Sequence, residues 1–301
     1  LREAGVGSDI LILAPSPVFL AENIARLGCT QTIGDLDAAL GMSERLYGTG
    51  LTLRCHLKLE TGMGRTGFRT GADGELAQVL EALRLPGLEW TGVFTHFAVS
   101  DEPDSNFTQL QFERFVSAVR ELEELSQRPL GIKHCANSGA VVNFRQTCLD
   151  MVRPGLLLYG LYPGAERGGL NLKPVMSVKT RVAEITHHRA GDTISYGRTF
   201  TCPRDMTIAV IPIGYADGLP RRLSGQFSVS VNGRRAPQVG TICMDMCMLD
   251  VSDMPSVRVG DIVTVFGDEP LAGELAEKAG TISYELLCAV SPRVPRVYLN
   301  E

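Results

Sequence analysis

The fold turns on LTLRCHLKLETGMGRTGF, residues 51–68. A β-rich run through residue 59 breaks into a glycine-rich loop, with Lys58 near the end of the run and Arg65 in the loop. GELAQVLEALRL (74–85) follows, with apolar residues at helical spacing. Strand, polar loop and amphipathic helix form the repeating unit of a parallel sheet. Sheets of this kind hold ligands at the carboxyl ends of their strands. The stretch is not a phosphate-cradling P-loop, because G-x-x-x-x-G-K-[ST] is absent and the loop cation is Arg, whose planar fork suits a carboxylate or phenolate oxygen.

The same unit recurs on both sides. ILIL (10–13), QTIG (31–34), WTGVFTH (90–96), GIKHCAN (131–137) and MVRPG (151–155) bring the expected strands to six. The helices between them include DLDAALGMSERLYG and FTQLQFERFVSAVRELEELSQ. A (β/α)8 TIM-type barrel needs eight strands. At about 30 residues per βα unit, roughly 60 residues, about the first two units, are expected to precede Leu1. LREAGVGSD, at the start, reads as the last turn of a helix closed by a glycine. After about residue 167 the pattern becomes strand-like: VKTRVAEITHH, MTIAVIPIG, FSVSVNGRRAPQVG and RVGDIVTVFG. Asn232-Gly233 signals a type I′ hairpin, and short helices are expected near ELAEKAG and ISYELLCAV. The expected domains are a partial barrel over 1–166 and a mainly-β domain over 167–301, linked by AERGGLN (165–171).

Composition narrows the function. The 301 residues are 44% hydrophobic, enough for a sizeable core, and the net charge of −5 comes without a basic block, which argues against nucleic acid. The eight cysteines sit mostly in apolar runs without C-x-x-C pairs, so they read as reduced, buried thiols of a cytoplasmic protein rather than metal ligands. No apolar stretch reaches the roughly 20 residues of a membrane helix. A small-molecule partner is the expectation.

Polar residues cluster just beyond the apolar runs: His96 in VFTHFAVSDE, Asn137 and Ser138 in KHCANSGA, and Arg153 in MVRPGLLLYG. Ser138 opens a helical SGAVVNF, and Gly155 and Leu156 open another short turn, so both places could present backbone N–H groups to an anion such as a cofactor phosphate. In the second part, ISYGRTF, PIGYADGLP and GTICMDMCMLDV concentrate Tyr, Gly and Asp in turns. A Tyr acting as a base needs cationic neighbours, since its ordinary pKa is near 10.

KLETGMGRTGF, THFAVSD, HCANSG, VRPGLLLYG, SYGRTF, IPIGYADG, GTICMDMCMLDV and ISYELLC…RVPRVY together resemble the alanine racemase family in order and spacing, over essentially the whole chain. The resemblance implies a pyridoxal 5′-phosphate (PLP) enzyme that interconverts L- and D-alanine for peptidoglycan. It implies a head-to-tail homodimer whose active sites use residues of both chains. It casts Tyr196 as the catalytic base for the L-enantiomer, with His96 relaying between it and Arg153, which faces the pyridine nitrogen. Arg65 is implied to contact the phenolic oxygen and the substrate carboxylate, and Lys58 to be the lysine that is often carbamylated and aims that arginine. Ser138, Gly155, Leu156 and Tyr284 are implied as the phosphate cradle, with Asn137 beside them. Met244 would meet the substrate carboxylate from the partner subunit, and Tyr215 would lie near the entrance.

Two departures are small: Pro292 stands where many relatives carry Tyr, and Thr241 where Arg is common. A larger one concerns the second base, in the family the lysine that carries PLP in a V-K-A-x-A-Y-G-H-type motif. That motif is absent, and the lysines are 58, 133, 173, 179 and 278. The sequence therefore leaves two alternatives beside an alanine racemase: a serine or broad-specificity racemase, and an inactive fragment.

Overall fold

The computed structural model describes residues 1–71, 74–164 and 168–299. Two units divide the chain, Leu1–Leu157 with Tyr162–Asn171, and Leu158–Leu161 with Leu172–Glu301. Of the expected linker, residues 165–167 lie outside the described residues.

In the first unit, strands and helices alternate in the order β1 (Leu11–Ile12), α1 (Ala21–Arg26), β2 (Thr30–Ile33), α2 (Leu36–Leu46), β3 (Leu53–Glu60), β4 (Phe68–Arg69), α3 (Leu76–Ala82), β5 (Leu88–Phe94), α4 (Phe107–Ser126), β6 (Ile132–His134) and α5 (Ser138–Asn143). The sheet runs β1-β2-β3-β5-β6, with β4 beside the end of β3, and every pair is parallel. Strand order equal to chain order is what right-handed βα units produce when they wind in one direction. The result is an α/β half-barrel. Strands of such a sheet are covered on both faces, so β2 is buried throughout and β3 from Cys55 to Leu59, with no alternation of buried and exposed residues. Helices bury a stripe instead: Ala39, Met42 and Leu46 on α2, and Phe115, Val119 and Leu122 on α4, spaced by three or four residues. Asp35 starts α2 by accepting the Ala38 N–H at 2.7 Å.

One expected strand does not form. MVRPG contributes only a single bridge between Arg153 and Asn137. Pro154 has no N–H to offer a ladder. Gly155 N–H folds back onto the Arg153 carbonyl at 3.0 Å, and a 3-10 turn over Leu156–Tyr159 follows.

The second unit holds β7 (Val178–Arg181), β8 (Glu184–His188), β9 (Thr193–Ile194), β10 (Phe200–Thr201), β11 (Met206–Ile211), β12 (Ser228–Val231), β13 (Arg234–Val239), β14 (Cys247–Asp250) and β15 (Ile262–Phe266), then α6 (Ala272–Lys278) and α7 (Ser283–Ala289). Its main sheet is antiparallel in the order β7-β15-β12-β13-β14-β11-β8, and β9 and β10 form a separate ribbon. VKTRVAEITHH, which reads as one strand, is two at opposite edges of this sheet. Val182 N–H bonds the Asp261 carbonyl and Ala183 N–H the Val210 carbonyl, so the chain changes partner between adjacent residues. The hairpin forms as expected: Asn232 and Gly233 take φ of +52° and +74° between β12 and β13, as a type I′ turn requires. Among the described residues no helix is long and apolar enough to cross a membrane.

Candidate active site

At the carboxyl end of the half-barrel, β3 delivers Lys58 and then a loop wound around the carboxylate of Glu60. Glu60 accepts the N–H groups of Gly62 and of Arg65, the latter at 3.2 Å. Burial pushes its carboxyl up, but backbone N–H groups of Gly62, Gly64, Arg65 and Met63 outweigh that and hold it below the usual range. Gly62, Gly64 and Gly67 all have positive φ, which lets the loop close on so short a radius. Arg65 is thereby left exposed on the outside of the turn. Lys58 is 4% exposed; its Nζ donates to Thr66 Oγ1 and lies 5.8 Å from the Phe94 ring centroid. Burial, and then the charge of Arg65, lower its pKa. A cavity of about 260 Å3 adjoins it, lined by Thr32, Gly34, Asp35, Thr66 and Gly67 among others.

Arg153 sits behind this loop on the bridge to Asn137. Its guanidinium donates to the carbonyls of Thr95 (2.8 Å) and Cys135 (3.2 Å), to His134 Nδ1 (2.6 Å) and to His96 Nδ1 (3.4 Å). Guanidinium can only donate, so both histidines accept at Nδ1 and carry their proton on Nε2. His134 then donates from Nε2 to Nδ1 of His56 at 2.9 Å, so the proton of His56 is on Nε2 as well. Phe94 stacks on His134 at 4.7 Å. Burial and then the Arg153 charge hold all three imidazoles neutral, lowering His96 and His56 to about 4 and His134 to about 2. Burial lowers Arg153 itself only to about 10, so it keeps its charge at neutral pH.

Where α5 begins, Asn137 acts as its N-cap and spends its side chain locally. Its Oδ1 accepts from Ala140 N–H (3.1 Å) and Ser100 Oγ (2.5 Å), and its Nδ2 reaches the Phe97 carbonyl at 3.5 Å. This holds Ser138 at the helix start, where its Oγ accepts the Leu157 N–H at 3.4 Å. Ser138 and the 155–157 turn thus come together. A side chain built on Gly155 would point into open space.

In the second unit, Tyr196 stands on the 3-10 turn Tyr196–Arg198 and is 71% exposed. Tyr215 N–H bonds the Cys243 carbonyl at 3.1 Å and Ala216 N–H the Met244 carbonyl at 2.8 Å, which brings Tyr215 and Met244 side by side. Gly214 is required there: a Cβ would lie 2.3 Å from the Cys243 oxygen. Tyr284 lies on α7, partly exposed.

The half-barrel therefore gathers Lys58, Arg65, His96, Asn137, Ser138, Arg153, Gly155 and Leu156, while the second unit gathers Tyr196, Tyr215 and Met244. His56 and His134 were missed. A signal existed: His56 shares a strand face with Lys58, two residues on, and a histidine inside a doubly covered strand must find a polar partner.

A half-barrel with buried cations at its strand ends, joined in one chain to an antiparallel β domain, defines an enzyme that binds an anionic small molecule. Residues 1–163 match the family model "Alanine racemase, N-terminal domain" and residues 175–298 match "Alanine racemase, C-terminal domain". The alanine racemase of Desulfosudis oleivorans is 44% identical over 313 residues, covering all of this chain and 80% of that protein. Alanine racemase 1 of Clostridium acetobutylicum is 41% identical over 306 residues, covering all of this chain and 79% of its own. Among solved structures, alanine racemase of Clostridium difficile 630 superposes with a TM-score of 0.91 at 34% identity over 99% of this chain and 78% of that one. The alanine racemase from D-cycloserine-producing Streptomyces lavendulae gives 0.90 at 31% identity over 100% and 80%. The chain belongs to the alanine racemase family: it is a PLP-dependent isomerase whose reaction is the racemisation of alanine.

The residues present fit PLP. Among the described residues, the hydrogen-bond partners of Lys58 and Arg153 are all neutral, so neither cation is directly bonded to an anion. A phosphorylated pyridine and an amino-acid carboxylate supply one.

Proposed function

We propose that racemisation here is a two-base proton transfer in a head-to-tail homodimer, with each cationic pocket completed by Tyr196 and Met244 of the partner subunit. PLP, when bound, supplies the stabilisation of negative charge at the substrate Cα. Ser138, the Gly155 and Leu156 backbone and Tyr284 hold its phosphate, and Asn137 fixes Ser138. Arg65 holds the phenolic oxygen and the substrate carboxylate, the Met244 backbone meets that carboxylate from the other side, and Tyr215 lines the entrance. Arg153 would face the pyridine nitrogen as a donor that keeps its own proton.

Tyr196 Oη takes the α-proton of L-alanine or returns it. The observation that carries this reading is the hydrogen bond from Arg153 to His96 Nδ1, because it leaves the His96 Nε2–H free to stabilise a tyrosinate. A neutral imidazole suits that task better than an imidazolium, because its Nε2–H donates a hydrogen bond without passing its proton to the tyrosinate. Lys58, with its lowered pKa and a cavity beside it, is the site of carbamylation: the neutral amine attacks CO2, loses a proton, and the resulting anion aims Arg65. No lysine of this sequence is assigned as the second base. Lys133 and Lys278 are tied to Glu123 and Glu274, and Lys58 to Thr66. The D-alanine serves peptidoglycan synthesis in the cytoplasm.

Tyr196→Phe in the PLP-loaded enzyme is expected to lower kcat by at least about 10²-fold, the usual contribution of a positioned base. An unimpaired variant would refute the assignment. Borohydride treatment of this polypeptide mixed with PLP should fix no cofactor stoichiometrically on one lysine. Capture on Lys58 would show that Lys58 carries PLP and overturn its carbamylation.

A further inference from the structure

We propose that Thr241 is a positioning residue for the racemase reaction, setting where Tyr196 presents its hydroxyl. The inference rests on the reading of Tyr196 as a base. Ser195, just before it, takes φ +67° and ψ −176°, a region that residues other than glycine almost never enter. Gly197 and Arg198 also have positive φ, at +73° and +52°. A turn in this conformation persists only if its surroundings impose it. Tyr196 is mostly exposed, so the imposition falls on the backbone.

Thr241 supplies it from three directions. Its carbonyl accepts the Ser195 hydroxyl at 2.6 Å, its own hydroxyl donates to the Tyr196 carbonyl at 2.8 Å, and Thr199 Oγ1 lies 3.2 Å from that hydroxyl. A hydroxyl has one proton, and Thr241 spends it on Tyr196, so Thr199 must be the donor to Thr241. The three bonds clamp residues 195, 196 and 199 around one buried side chain. Gly240 makes the approach feasible: with φ +69° it turns the chain toward β9, where a Cβ would lie 2.8 Å from the Ile194 oxygen. Three residues beyond Thr241 is Met244, whose carbonyl is bonded to the Tyr215 turn. Thr241 therefore ties the proposed base to the turn proposed to meet the substrate carboxylate.

The test compares Thr241→Val, which keeps the shape without the hydroxyl, with Thr241→Ser, which keeps the hydroxyl, in the PLP-loaded full-length enzyme. Thr241→Val is expected to lower kcat by roughly 10-fold to 10²-fold with KM changed little, the scale of a small misplacement of a reacting group. Thr241→Ser should restore most of the loss. The Cα-deuterium isotope effect should rise from L-alanine and fall from D-alanine, because only the Tyr196 step has slowed. Combined with Tyr196→Phe, Thr241→Val should cost almost nothing further. A wild-type kcat in Thr241→Val, or an undiminished loss in the Tyr196→Phe background, would overturn the proposal. An unimpaired Tyr196→Phe would instead refute the base assignment. Amide hydrogen exchange at residues 197–199 separates the two: faster exchange in Thr241→Val than in Thr241→Ser supports the clamp, and equal exchange overturns it.

Discussion

Gly92→Ala tests the histidine chain behind Arg153 without touching a charged group. On β5, a Cβ at residue 92 would lie 2.5 Å from Nε2, 2.6 Å from Cε1 and 2.8 Å from Cδ2 of His56. No carbon sits that close to a ring, and His56 is buried, so it cannot swing into solvent. Overpacking of this kind costs about 1–3 kcal/mol. If the ring moves, the 2.9 Å bond to His134 goes with it, adding about 0.5–1.5 kcal/mol. The variant should therefore lose about 2–4 kcal/mol in urea denaturation, before any effect on turnover. His56→Ala alone should also destabilise, by about 1–3 kcal/mol, because the His134 Nε2–H is left buried and unpaired. Combining the two should cost no more than His56→Ala alone, since the new methyl enters the space that the ring vacated, so the coupling between these contacting residues should equal the whole Gly92→Ala loss, about 2–4 kcal/mol. A Gly92→Ala protein within about 0.5 kcal/mol of wild type, the scatter of ordinary surface substitutions, or strictly additive losses, would refute the steric argument.

Acid should unfold the protein through the same cluster. Folded His56, His96 and His134 refuse a proton until about pH 4 or below, while their unfolded counterparts accept one near 6.5. Their contribution is complete above pH 6.5 and is lost as pH falls toward about 4. Proton uptake on unfolding near pH 5, measured calorimetrically in buffers of different ionisation enthalpy, should approach three from these groups, and a value near zero would contradict their neutral state. Gly214→Ala should force the Cys243 and Met244 carbonyls away from the Tyr215 turn, raising KM for alanine about 10-fold or more, equivalent to about 1.4 kcal/mol; an unchanged KM would remove Met244 from the substrate site. Ser138→Ala should weaken PLP binding by about 1 kcal/mol, one hydrogen bond, read by fluorescence titration.

Much of the half-barrel was legible because parallel sheets write their strands as apolar runs and their helices at a 3.6-residue period. The failures are local and physical. MVRPG has strand-like composition, yet Pro154 and the Gly155 turn leave one bridge of it. VKTRVAEITHH has the right pattern, but pattern does not say that the partner changes at Val182. Site legibility divides in the same way. Lys58, Arg65, His96, Ser138 and Arg153 stand out as polar residues after apolar runs, which is a feature of sequence. His56 and His134 lie inside such runs, and their pairing across β3 and β6 needs β5 between them to present a glycine. The register of β3 against β5 shifts between Cys55 and His56, placing Gly92 opposite the imidazole, and no periodicity reveals that bulge. Thr241 was seen only as a departure from an expected Arg; its role as a clamp depends on the conformation of Ser195.

The pocket's electrostatics bear on why a tyrosine can serve as the proposed base. Two unit charges about 4 Å apart interact by about 4 kcal/mol at an effective dielectric of 20, and the energy falls inversely with distance. Arg153 is a stronger base than any group it contacts, so it keeps its proton and its two histidine and two carbonyl contacts remain neutral dipoles. Protons on this chain are consequently ordered in one direction, away from the guanidinium and toward His56. A phenol brought within about 5–6 Å of two such cations would be favoured as phenolate by several kcal/mol before desolvation. The substrate carboxylate and the cofactor phosphate offset part of that field. Holding the arginine charged and the histidines neutral keeps the remainder aimed at the tyrosine, rather than dissipated in protonating imidazoles.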